Sequence, residues 1–114
     1  MIEIETKKVD ANHELRPGAI LVSSWGYEQT NVVFYVVTRI TRTMACIQRI
    51  ESVEEFGSGV GSMTGTSRPA DPIDYWEYEH VLRRKVGENN RISIKDHKSA
   101  IPWDGQPKRF STYA

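Results

Sequence analysis

The sequence predicts a mainly β protein, either a small SH3-like barrel or a strongly twisted antiparallel sheet of five to six strands with a long irregular connection. Three observations carry this reading. Val32 to Val37, VVFYVV, is an unbroken β-branched and aromatic run, which signals a strand covered on both faces. Several shorter apolar runs are separated by turn residues. No long stretch shows a 3.6-residue repeat. Closing the sheet into a barrel removes its exposed edges.

The elements follow in order. Residues 1–16 are polar and read as a loosely ordered lead-in, with Ile2 and Ile4 alternating as a short edge strand. Arg16-Pro17-Gly18 is a turn signal. It opens into a short buried strand, Ala19 to Ser23. Asn31 to Ile40 is the second strand and Thr43 to Ile50 the third, joined as a hairpin around Thr41-Arg42. That turn lacks the glycine or asparagine of the favoured two-residue types. Ser52 to Phe56 extends the third strand or forms one helical turn. Residues 57–74, with a glycine-rich part and Pro69 and Pro72, read as a flexible connection. Connections of this length are usually functional or disordered. His80 to Val86 is a strand, Glu88-Asn89-Asn90 a turn, and Arg91 to Lys95 the return, with Ile92 and Ile94 facing in. The late Phe110 and Tyr113 suggest a tail packed on the body.

A chain of 114 residues is expected to be one domain, 1–114. Fifteen basic and fifteen acidic residues balance, so no global field points to a polyanion or a membrane. The charges are segregated, however. Residues 51–79 carry seven acids against Arg68, net −6, and residues 80–114 carry eight bases against three acids, net +5. These are two potential patches of opposite sign. The single Cys46 excludes an intramolecular disulfide and a cysteine-based zinc site. The start has no signal-peptide core, and no run reaches the roughly 18 apolar residues of a membrane span. A cytoplasmic protein without membrane contact is expected.

No catalytic constellation emerges. The glycine segment 57–65 has neither the Walker pattern nor G-x-G-x-x-G. His13, His80 and His97 lack ligand spacing, so no metal and no cofactor are expected. Ser23 and Ser24 beside Trp25-Gly26 do not form a nucleophile elbow and read as turn hydrogen bonders. An enzyme would need Asp96 or His97 to meet Glu28 in space.

What remains is the cluster Trp25, Tyr27, Gln29, Asn31 and Tyr35. Aromatics and amides around Gly26 suit a protein interface. The same aromatics, with Phe34, also suit base stacking, with Arg39, Arg42, Arg83 and Arg84 on phosphates. A third reading is plain packing, with the amides satisfying buried backbone.

Residues 18–37 resemble an uncharacterised family of small proteins from bacteria, phages and mobile elements. The shared pattern is S-S-W-G-Y-x-Q-T-N-x-x-F-Y-x-V with a glycine and an isoleucine ahead of it, met here by Gly18, Ile20, Ser23, Ser24, Trp25, Gly26, Tyr27, Gln29, Thr30, Asn31, Phe34, Tyr35 and Val37. Trp103-Asp104-Gly105 and the terminal Tyr113-Ala114 match as well. The resemblance implies a phage or mobile-element accessory protein and no mechanism. The expectation is therefore a non-catalytic binding module that engages a host protein through residues 25–35 and the 57–74 connection. Nucleic acid is the alternative partner. The doubly apolar Val32–Val37 strand also allows a homodimer.

Overall fold

The computed structural model describes residues 13–26, 30–56, 64–76, 80–95 and 98–111. Six antiparallel strands form the main sheet: β1 (Ile20–Trp25), β2 (Asn31–Ile40), β3 (Met44–Ile50), β6 (Leu82–Lys85), β7 (Ile92–Lys95) and β8 (Lys98–Pro102). Their spatial order is β6-β3-β2-β1-β8-β7. Three further strands, β4 (Ser52–Phe56), β5 (Thr64–Pro69) and β9 (Lys108–Ser111), make a second sheet ordered β4-β5-β9. The main sheet curls until, among the described residues, its edges meet at one bridge, Val86 opposite Ile92. It is a nearly closed barrel. Among the described residues, no helix is long and apolar enough to cross a membrane.

All six strands of the main sheet send side chains into one interior. Leu21, Val33, Tyr35, Val37, Ile47, Ile92 and Ala100 form its centre, and Trp25 and Leu82 pack against it. The opposite face of β1–β3 is covered too. Val22, Phe34, Val36 and Ile50 lie under Ile73, Tyr75 and Trp103. This explains the unbroken apolar run in β2: odd positions fill the barrel and even positions the outer layer, as the lack of alternation predicted. Phe34 is fully buried, with the Trp103 ring edge-on at 5.7 Å between centroids.

The turn carrying Trp103 is braced by short-range bonds. Trp103 Nε1 donates to Gln106 O at 2.7 Å, and Asp104 accepts from Gln106 N at 2.9 Å and from Lys108 Nζ at 2.7 Å. Gly105 takes a left-handed φ of 87°, which glycine adopts without steric cost. Lys108 holds the exposed Asp104 carboxyl below the usual carboxylate range, with the Gln106 N–H assisting.

The β2–β3 hairpin forms where expected and takes a three-residue loop. The Thr41 hydroxyl replaces the missing turn signature by accepting from Met44 N at 3.1 Å. A bulge between Val37 and Arg39 reverses the side-chain alternation, which is how Ile40 joins Val37 in the interior.

Several expectations change. Part of the lead-in is packed: Leu15 is buried, and Glu14 N donates to Asn90 Oδ1 at 2.9 Å. Ile2 and Ile4 lie outside the described residues. Ser52–Phe56 neither prolongs β3 nor turns helical. After Glu51 it leaves the barrel and pairs with β5. The connection read as flexible over 57–74 contains β5, the central strand of the second sheet. Residues 57–63 lie outside the described residues. Lys98–Pro102 and Lys108–Ser111 are strands that the sequence reading passed over. Phe110 is buried as foreseen, and Tyr113 lies outside the described residues.

Gly65 decides the packing of the second sheet. It lies between Phe56 and Phe110 in register, and those rings meet edge-on at 5.4 Å. A Cβ at this position would strike the Glu55 carbonyl oxygen and come within 2.9 Å of Phe110 Cζ. Gly65→Ala is therefore expected to cost about 1–3 kcal/mol, as overpacked sites do. A thermal melt checks this, and an unchanged midpoint would contradict the packing.

Candidate functional site

The outer face of the β7–β8 hairpin carries a groove of about 880 Å³. Alternation in β7 buries Ile92 and Ile94 and turns Arg91, Ser93 and Lys95 outward. In β8, Ser99 lies opposite Ser93 and Lys98 opposite Lys95. The floor is therefore hydroxyl-bearing and the flanks are cationic. Lys85 and the Gly87–Asn89 turn supply the far wall. Arg91 Nε donates to Ser99 Oγ at 2.9 Å, which anchors one guanidinium on the floor. Lys98 Nζ stands 3.9 Å from the centroid of the Trp25 ring. The four cations Lys85, Arg91, Lys95 and Lys98 face one described acid, Glu88.

The turn that walls this groove is built by two consecutive left-handed residues, Asn89 (φ 57°) and Asn90 (φ 61°). Asparagine tolerates this conformation better than most side chains. Gly87 N donates to Arg91 O at 2.7 Å and closes the turn.

Beside the groove the barrel seam opens. From the Val86–Ile92 bridge, β6 and β7 diverge, and Arg84 spans the gap by donating from Nε to Ile94 O at 3.4 Å. The resulting mouth, about 390 Å³, has Tyr35, Leu82 and Ile94 as its floor. His80, Arg84, Lys95 and Lys98 form its rim. Lys95 and Lys98 thus belong to both the mouth and the groove.

The residues singled out from sequence fall in different places. Tyr35 is 1% exposed, so little of it reaches solvent, and that at the floor of the mouth. Phe34 is likewise interior. Trp25 is half-buried against the barrel core. Asn31 lies opposite Trp25 in register, and its Nδ2 donates to Trp25 O at 3.4 Å. Trp25 and Asn31 also line a cleft of about 220 Å³ between the two sheets, with Arg49, Glu54 and Phe110. Tyr27 and Gln29 lie outside the described residues.

The four arginines separate as well. Arg39 and Arg83 flank Cys46 across three adjacent strands and are exposed, as is Arg42 in the hairpin loop. Arg84 is turned toward the seam. Arg83 and Lys85 share the outer face of β6, so the basic band from Arg39 continues into the groove. The sequence reading missed Lys85, Arg91, Lys95 and Lys98 as a set. Their signal was present in the net charge of residues 80–114 and in the outward positions of β7.

Scans against family models, curated proteins and solved structures return no match to this chain.

Among the described residues, no group of three or more His, Cys, Asp or Glu is placed to hold a metal ion. Asp96, His97 and Glu28 lie outside the described residues. Ser23 is fully buried within β1 rather than in a turn, and its Oγ meets no partner among the described residues. A hydroxyl sealed there cannot attack a solute.

Proposed function

We propose that this protein is a non-catalytic binding module that holds nucleic acid along the basic groove of the β7–β8 hairpin. The supporting observation is the convergence of Lys85, Arg91, Lys95 and Lys98 on one concave surface with a serine floor. Cations at that density neutralise phosphates and release their counterions. Arginine and serine donors are also the usual phosphate contacts. The exposed Arg39, Arg42 and Arg83 extend the same field over the neighbouring strands.

The test is fluorescence anisotropy with a labelled oligonucleotide across a salt series. Four phosphate contacts to a single strand give a slope of about −3 in log K against log salt. Absence of binding at low salt, or binding indifferent to salt, would overturn the proposal.

A protein partner in a host cell is the second reading, in line with the resemblance of residues 18–37 to an uncharacterised family of small proteins from bacteria, phages and mobile elements. Its support is Phe56, which is 59% exposed at the end of β4. Large exposed aromatics are common interface anchors. Capture of a protein that survives nuclease treatment and is lost in Phe56→Ala would favour this reading.

A further inference from the structure

We infer that the groove takes single-stranded rather than duplex nucleic acid, with one base seated in the barrel mouth. The inference rests on the nucleic-acid reading and adds what the second cavity contributes. A surface meant for duplex backbone needs only charge and shape. Here the charge stands at the rim of an apolar hole. Tyr35, Leu82 and Ile94 lie below Lys95 and Lys98, and those two lysines also flank the groove. A phosphate held between them leaves its own or the next base over the mouth.

Bases in a duplex are paired and stacked, and none can turn into such a hole without the cost of unstacking. Bases of a single strand are free to do so, and burial against the apolar side chains at the mouth, Leu82 and Ile94 among them, is what rewards them. The mouth exists because, among the described residues, backbone pairing between these two edges of the sheet is confined to the Val86–Ile92 bridge. Arg84 holds the seam at its Ile94 bond and brings a further cation to the rim. Trp25 fixes the Lys98 ammonium from the barrel side, so that cation is positioned before a ligand arrives.

The experiment uses the unmodified protein and three fluorescein-labelled probes of about twelve nucleotides, within the usual site sizes of small barrels. They are oligothymidine, an abasic strand of the same phosphate number, and a duplex. All are titrated at low salt. Oligothymidine is expected to bind about tenfold more tightly than the abasic strand, the gain of one seated base, and more tightly than the duplex. Equal affinity for oligothymidine and the abasic strand, or a preference for duplex, would overturn this inference and leave the groove's affinity for phosphates standing. Failure of all three probes to bind would overturn the nucleic-acid reading itself.

Discussion

Phe34→Ala is expected to lower stability by about 3–5 kcal/mol, the range for emptying a fully buried aromatic site. In a chain of this size that corresponds to a fall of roughly 10–20 °C in melting temperature. Phe34 is fully buried on the central strand β2. It points away from the barrel interior, into the layer that Ile73, Tyr75 and Trp103 close. Two losses combine there: the buried ring, and its edge-to-face contact with Trp103. The site cannot collapse readily, because the Trp103 turn is tied at Ile20 O by a 2.9 Å backbone bond as well as by its own braces. Phe34→Leu keeps most of the volume and is expected to cost less. Urea unfolding checks both, and a small loss in Phe34→Ala would mean that the outer layer contributes little.

Reversing both lysines shared by groove and mouth, Lys95→Glu with Lys98→Glu, is expected to weaken oligonucleotide binding roughly 100-fold at low salt. Two attractive contacts become like-charge juxtapositions with phosphate, each costing on the order of kcal/mol. The salt slope should flatten by about 1 per lost phosphate contact. Lys95 is exposed on β7, so Lys95→Glu alone should change the melting temperature little, whereas Lys98 packs on Trp25 and its reversal is expected to lower it somewhat. The reversal Arg109→Glu on β9, exposed on the second sheet, should alter affinity by less than about twofold if the groove is the site. Parallel loss in both variants would indicate general charge attraction and no localised groove.

The barrel was legible where hydrophobicity itself alternates or saturates. β2 announces two covered faces, and β7 shows inward isoleucines between outward polar residues. The second sheet was not legible. In β5, TGTSRP, the buried positions are Gly65, Ser67 and Pro69. Its alternation is one of size and not of hydrophobicity, because the neighbouring Phe56 and Phe110 need the space above the glycine. A strand made of turn-forming residues reads as a turn. The site was half legible for a related reason. The aromatic motif drew attention because its residues are large and unusual in combination, yet size is also what a core needs, and Tyr35 and Phe34 serve that need. The groove cations are ordinary surface residues one by one. Only the pairing of Lys95 with Lys98, and the seam that brings Lys85 near, gathers them in one groove.

The doubly covered strand β2 has a consequence for the life of the chain before it folds. Val32 to Val37 combines high β-propensity with no charge, no proline and no glycine, the composition of segments that stack between molecules. Its natural shields are distant in sequence: Ile73 and Tyr75 follow the third barrel strand, and Trp103 comes later still. Until those are in place, one face of the run has only its sheet neighbours Val22 and Ile50 and no covering layer. Trp103 thus closes a face of β2 that is covered only once the far end of the chain has folded back, and the Asp104–Lys108 ion pair braces the turn that carries it.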